Sequence, residues 1–230
     1  MSYRRNPSVG VFHYLTKQLL FLILVAFLLF LCSQDLGWTM AWLYLSSLVC
    51  IMLANVLAMN RSLLTERAHL QEGTKRWDVF LSSFVAIIGP CLVLLTAALD
   101  HRDHWEKAVP NVMSGIFLLV FLLASLFATW AMHTNQFFSA TVRIQTDRGQ
   151  KVVDRGPYAL IRHPGYLGGI IGILATALAL QSFFALLPAS LVAIGYVVRT
   201  ALEDRVLRSE LAGYQQYAER VKYRLVLFVW

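Results

Sequence analysis

LGGIIGILATALALQSFFALLPASLVAIGYVV, residues 167–198, is the stretch on which the fold turns. Two apolar runs, Leu167–Leu180 and Phe183–Val198, are separated only by Gln181-Ser182, with Pro188 shortly after. Each run is near or below the ~20 residues that a helix needs to cross a hydrocarbon core. The joint is as short as those between neighbouring antiparallel helices. The pair therefore reads as a helical hairpin with tilted or partly re-entrant arms. Such a hairpin returns the chain at Arg199 to the membrane face it left at Pro164.

Outward from the hairpin the same grammar repeats. Apolar blocks fall at roughly 17–35, 38–59, 78–99 and 112–134, each close to a spanning length of ~20 residues. Trp38, Trp42, Trp77, Trp105 and Trp130 sit near their ends, where indole rings favour the interface. The 230-residue chain is 58% hydrophobic and 14% charged, against ~45–50% and ~25% for soluble domains. Its mean hydropathy is +0.60. The expected fold class is all-α: a polytopic integral membrane protein with about six transmembrane helices, both hairpin arms included. Leu19–Cys32 follows Arg4, Arg5 and Lys17, but no small-residue cleavage site comes after it, so a retained first helix is expected rather than a signal peptide.

The net charge of +7 is unevenly placed. Basic residues collect at the N-terminus, over Arg61–Arg76, over Arg143–Arg162 and from Arg199 onward. The loops around Asp35 and from Asp100 to Lys107 carry little positive excess. The positive-inside rule then puts both termini and the basic loops in the cytoplasm. No basic face exists apart from these juxtamembrane sites, which argues against a nucleic-acid partner. Cys32, Cys50 and Cys91 lie in apolar segments without metal or disulfide spacing, so free thiols and no metal site are expected. From Arg199 the chain reads RTALEDRVLRSELAGYQQYAERVKYR, an amphipathic pattern that predicts a cytosolic C-terminal helix. The apolar tail Leu225–Trp230 is expected to pack back on the protein or the interface.

Polar residues beside a membrane are costly unless paired or solvated, so their clusters are informative. RGPYALIRHPGYLGG, residues 155–169, is one. Pro164 lacks an N–H and disfavours helical geometry at His163, so it can begin the helix that follows. Gly165, Gly168 and Gly169 let backbone or ligand approach the first turn, whose amides suit an anionic group. Two readings stand for this stretch: a turn that carries the chain into the bilayer, with its tyrosines and arginines at the interface, or a ligand site. Arg199 with Glu203 and Asp204 is the second cluster. Arg199 and Glu203, four apart, share a helix face and can pair. If the hairpin forms, they return to the face that bears His163, and the two clusters together suit a ligand with charges of both signs. His13, His69, His101 and His104 lie in loops or near interfaces and are expected to be solvated. His133 is expected to pack or cap rather than face the pocket beside Asn135.

These residues resemble the isoprenylcysteine carboxyl methyltransferases. The likeness is carried by Gly156-Pro157-Tyr158, Arg162-His163-Pro164-x-Tyr166-x-Gly168, Arg199-x-x-x-Glu203-Asp204 and Tyr214-x-x-Tyr217-x-x-x-Val221-x-x-Arg224. It covers roughly residues 135–225; the related phospholipid methyltransferases share its core. Glu66-Arg67-Ala68 and Gly73-Thr74-Lys75-x-Trp77-Asp78 resemble a loop of the bacterial members. The resemblance implies two regions: residues 1–134, an N-terminal four-helix transmembrane region, and 135–230, a methyltransferase core. It implies an integral membrane enzyme that transfers methyl from S-adenosylmethionine, with a lipophilic, isoprenylcysteine-like substrate entering from the bilayer. Carried onto this chain, the cofactor set is Gln150, Lys151, Val152, Val153, Tyr158, His163, Pro164, Gly165, Tyr166 and Glu203. Arg199 matches the arginine associated with the substrate carboxylate, so Arg199 and Glu203 are the expected catalytic pair, and Asn135 is expected at the substrate mouth. The family usually has two adjacent glutamates where this chain has Glu203-Asp204, a side chain one methylene shorter at the second position. Eukaryotic members have a histidine at the position of Gln150.

A carboxylate is already a nucleophile at neutral pH, so ester formation needs alignment and exclusion of water rather than a general base. Amine methylation of a phospholipid is the nearest rival and needs a proton acceptor, for which Glu203, Asp204 or His163 are candidates. A sterol-reductase-like enzyme using NADPH shares an Arg-His-Pro-x-Tyr-x-Gly element, but those chains are usually larger, and no basic cluster here is clearly placed for a 2′-phosphate. A non-catalytic membrane scaffold, with His163 and Glu203 serving only the fold, is the rival from outside enzymology.

Overall fold

In the computed structural model, residues 7–68, 71–105 and 109–230 are described; Arg4, Arg5, His69 and Lys107 lie outside them. Pro164 is the first residue of helix α7 (Pro164–Ala179), where its missing N–H forfeits nothing. The helix ends at Leu180, and Gln181 takes a left-handed conformation at φ 64° that lets the Ser182 amide donate back to the Ala177 carbonyl at 3.0 Å. The Ser182 hydroxyl then accepts from the Ala185 amide at 3.1 Å, ahead of α8 (Leu186–Glu210). The Gln181 side chain donates to the Val109 carbonyl and to Asn111 Oδ1, so the apex is pinned to another loop on the same face. The hairpin is real, and its joint is the Gln181-Ser182 pair.

The other spans are α1 (Pro7–Ala26, continued by a π turn over Phe27–Leu31), α2 (Thr39–Ala58), α4 (Arg76–Ser83) running through a π turn into α5 (Gly89–Asp103), and α6 (Asn111–Thr134). The second π turn, Phe84–Ile88, lies just before Pro90, whose ring clashes with the preceding turn of a regular helix. Between α2 and α4 lies a short helix, α3 (Arg61–Ala68), packed against α1; Lys17 donates to the Ala68 carbonyl at 2.6 Å. Among the described residues, five helices are long and apolar enough to cross a membrane: 10–31, 39–58, 76–103, 111–134 and 186–210. α7 is apolar but has only 16 residues, so it is the short arm of the hairpin.

What faces outward confirms a bilayer as solvent. Leu19, Leu20, Ile23, Leu57, Ile116, Leu123, Leu187 and Ile194 are exposed, whereas helix contacts inside are made by Ala41, Ala97, Ala98, Ala175, Ala177 and Ala189. Small residues at the interfaces let helices approach closely where no hydrophobic force separates protein from lipid tails. Gly168 is the tightest case. A Cβ there would lie 2.7 Å from the Ala124 carbonyl and 2.9 Å from the Ala128 Cβ, so α6 and α7 touch backbone to backbone.

The segment after Arg199 is helical, as the continuation of α8 unbroken to Glu210, and α9 (Tyr214–Arg220) follows. One expectation is corrected. His101 is not merely solvated. It makes a 2.9 Å hydrogen bond with Asp35 and stacks on Trp38 at 4.1 Å. His133 bonds the Ala58 carbonyl at the end of α2, a capping role. The apolar tail folds back, with the Arg224 guanidinium 4.9 Å from the Trp230 ring and Leu225 buried.

Candidate active site

Between α6 and α7 the chain has no long helix. Gly149 and Gly156 adopt positive φ, and Pro157 and Pro164 interrupt the rest, so residues 135–163 form a strap with only two short 3-10 turns. Gln145, 1% exposed, ties the strap to itself: its side chain donates to the Phe137 carbonyl and its amide to Gln150 Oε1. Val142 is clasped from the other side. Its amide donates to Asp78 Oδ2 at 2.6 Å and its carbonyl accepts from the Lys75 amide at 3.0 Å. The loop Gly73–Asp78 therefore anchors the strap.

A pocket lies between this strap and α7, α8 and α9. Asn135, Gln150, Lys151, Val152, Val153, Tyr158, His163, Gly165, Tyr166, Arg199 and Glu203 all line it; Pro164, expected among them, does not, and starts α7 between two residues that do. Its enclosed part is narrow, about 80 Å³, and opens to a wider mouth. A Cβ on Gly165 would meet the Phe138 ring at 2.7 Å, so only glycine keeps that wall clear.

His163 is 7% exposed; its Nε2 is closed to solvent and makes no hydrogen bond. The nearest carboxylate oxygen, Asp204 Oδ1, is 3.6 Å away, longer than a hydrogen bond. The ring stacks on Tyr166 at 5.7 Å, and the Tyr166 hydroxyl donates to Glu203 Oε2. Burial pushes the Tyr158 phenol well above its ordinary range, with Asn135 partly offsetting the shift.

The ion pair that helical spacing allows between Arg199 and Glu203 does not form. Arg199 instead grips Asp78, Nε to Oδ1 at 2.6 Å and Nη2 to Oδ2 at 3.0 Å, and Nη2 also donates to the Ala140 carbonyl. Tertiary burial of Asp78, 0% exposed, outcompetes a same-face contact on the helix. Asp204 has a definite structural place. Arg162 grips it at 2.7 and 3.1 Å, and Arg208, Arg224 and the Tyr214 hydroxyl also donate to it. A third such clasp joins Arg143 to Glu66 at 3.0 and 3.1 Å, with Asp147 as further partner. The Arg143 guanidinium holds the Asp147 carboxyl below its ordinary value, against the opposing effect of burial.

Beside the pocket, within the helices, lies an apolar cavity of about 250 Å³ bordered by Tyr44, Phe121, Gly168, Gly169 and Tyr196. Tyr166 lines the pocket and Tyr196 the cavity, and their rings are 5.6 Å apart. The two spaces meet across this pair.

Residues 116–209, from within α6 almost to the end of α8, match the isoprenylcysteine carboxyl methyltransferase (ICMT) family. The similarity covers this segment, less than half of the chain. A search of curated proteins finds none that matches it. The chain is thus an integral membrane protein with a segment similar to a methyltransferase family, and that segment holds the strap, His163, Tyr166, Arg199, Glu203 and Asp204. Two acids that hold arginines of this segment lie before it: Asp78 behind Arg199, and Glu66 behind Arg143. Sequence reasoning noted both loops without giving those acids a role. The available signal was a carboxylate beside an apolar span, which must find a cation.

Proposed function

We propose that the protein methylates the carboxylate of a lipophilic acceptor, with S-adenosylmethionine as methyl donor, at the cytosolic edge of the membrane. One observation carries this reading: a polar pocket and an apolar intramembrane cavity abut across Tyr166 and Tyr196. A water-soluble charged donor and a lipid tail require that combination. Similarity to a methyltransferase family supports the reaction class.

The residues present fit such a donor. His163 Nε2 is buried, with only the Asp204 carboxylate near it, at 3.6 Å. Glu203 offers a carboxylate to hydroxyl or ammonium groups, and the first turn of α7 offers amides to an anionic group. Gln150, Lys151, Val152, Val153, Tyr158, Gly165 and Tyr166 complete the walls. Because the enclosed part is small, a ligand of nucleoside size must occupy the mouth as well. When bound, the cofactor supplies an electrophilic methyl group on a sulfonium.

The protein's own residues position and dehydrate. Glu203 fixes the Tyr166 hydroxyl, and the Arg199 guanidinium lies 5.1 Å from the Tyr166 ring, so the partition between the two spaces is rigid. Arg199 lines the polar pocket with its charge already balanced by Asp78, which suits orientation without over-tight binding of the attacking carboxylate. Exclusion of water and a fixed approach are where such a displacement gains most.

Binding of S-adenosylmethionine to the full chain in detergent tests the donor half of this reading. The wild type should bind it, and His163→Ala and Glu203→Ala should each weaken binding at least ~10-fold, ~1.4 kcal/mol. No binding by the wild type would sink the reading. Arg199→Ala should keep the cofactor while losing turnover.

A further inference from the structure

RVKYRLVLFVW, residues 220–230, carries three basic residues and no acid, and ends in an apolar run. The tip of that run is bare: Phe228 is 85% exposed and Val229 77%. Exposure of that size recurs on the spans, as at Leu57 of α2 (87%), where lipid tails are the solvent. A tip that faced water would leave both side chains in the phase they least favour.

The backbone of the tip is closed on itself. The amides of Arg224, Leu225 and Val226 donate to the Trp230 main-chain oxygen at 2.9, 2.9 and 3.1 Å, and those of Val229 and Trp230 donate to the Val226 carbonyl. Phe228 completes the turn in a left-handed conformation at φ 64°, unusual for a bulky residue. Backbone groups satisfied within a segment are what entry into an apolar phase demands. Tyr223 and Trp230, both half-buried, bracket the run with the ring types that favour a membrane interface.

Its attachment puts the segment at the membrane edge. The Tyr223 carbonyl accepts from the Arg162 amide at 3.0 Å and the Arg224 carbonyl from the His163 amide at 2.9 Å, directly ahead of Pro164, where α7 begins. The short turn Gly156–Ala159 lies against the last turn of α6, with Gly156 beside Trp130 and Thr134, and both Trp130 and Leu160 are exposed. Arg155 and Lys222 are exposed too, and among the described residues neither has an ion-pair partner, whereas Arg220 has Asp154 and Arg224 has Asp204. Free cations beside an apolar tip match a layer of anionic headgroups. We propose that residues 226–230 dip into the leaflet that α7 enters at Pro164, with Arg155 and Lys222 on anionic lipid headgroups. The contact goes beyond the methyl-transfer reading and does not depend on it. It also moors the edge of the polar pocket, because Tyr223 and Arg224 hold the amides of Arg162 and His163, which line it.

The test is photocrosslinking of the full chain in vesicles of equal parts phosphatidylcholine and phosphatidylglycerol, with p-benzoylphenylalanine placed at Phe228 or, separately, at Val229. Irradiation should give lipid adducts at both positions and far fewer with the probe at Glu219, an exposed position on α9. Phosphatidylglycerol adducts should outnumber phosphatidylcholine adducts at least ~3-fold, and Arg155→Glu combined with Lys222→Glu should bring the ratio close to parity. Absence of lipid adducts at both positions overturns the proposal, and so does an equal yield at Glu219. A crosslinked dimer as the main product overturns it as well, by assigning the tip to a second copy. Lipid adducts without headgroup preference would remove Arg155 and Lys222 from the contact. Binding of S-adenosylmethionine in the same vesicles keeps the two readings apart: lipid adducts without cofactor binding would count against the proposed reaction alone.

Discussion

Asp204 accepts hydrogen bonds from Arg162, Arg208, Arg224 and Tyr214, and it is wholly buried. Removing one partner of a buried pair leaves the other charge uncompensated, at about 3–5 kcal/mol. Asp204→Ala should therefore lower the melting temperature in detergent steeply, whereas Glu203→Ala should lower it little and act on cofactor binding. Equal melting of the two variants would show that the neighbouring carboxylates do not divide fold from function. His163, Tyr166 and Glu203 were legible in sequence because a short turn and a fixed helical spacing set their positions. Asp78 behind Arg199 was not, because 121 positions separate them and only the packed fold says which acid meets which cation. The local rule favoured Glu203, four residues on; burial overrode it.

α7 and α6 meet where Gly168 leaves no space for a side chain. Gly168→Leu overpacks that contact and should destabilise by about 1–3 kcal/mol, more if the helices must separate. The measurement is thermal unfolding; a neutral result would mean that the helices do not touch as described. Gln181-Ser182 announced the hairpin because two polar residues between apolar runs leave few alternatives. The end of the second arm was less legible. Hydropathy falls at Arg199, yet no glycine or proline interrupts the chain from Tyr196 to Ala212, so the backbone stays helical while its solvent changes. Hydropathy reports the solvent, and hydrogen bonding decides the helix.

Across the whole molecule, the clasps Glu66–Arg143, Asp78–Arg199 and Arg162–Asp204 join loops and helices distant in sequence around one pocket. The spans could be read from composition, since about 20 apolar residues leave little choice; the closure of the site by these clasps could not. α9 adds a pH signature. Burial raises the Tyr217 phenol, and its hydroxyl donates to the Tyr158 carbonyl at 2.7 Å. A phenol whose folded pKa exceeds its unfolded value of ~10 contributes its full stability below that pH and loses it as the pH climbs toward the folded value. Melting temperature should be flat from about pH 7 to 9 and fall above ~10, with a shallower fall in Tyr217→Phe. An unchanged slope in that variant would remove Tyr217 from the explanation.

Membranes containing the full chain, incubated with S-adenosylmethionine labelled in the methyl group, then extracted and treated with base, test the proposed ester chemistry most directly. Label should enter the lipid extract and leave it as methanol on mild alkaline hydrolysis, and membranes with Glu203→Ala should show neither. Label that stays with the lipid through base treatment would identify an amine acceptor, and no label at all would contradict methyl transfer to a lipophilic acid.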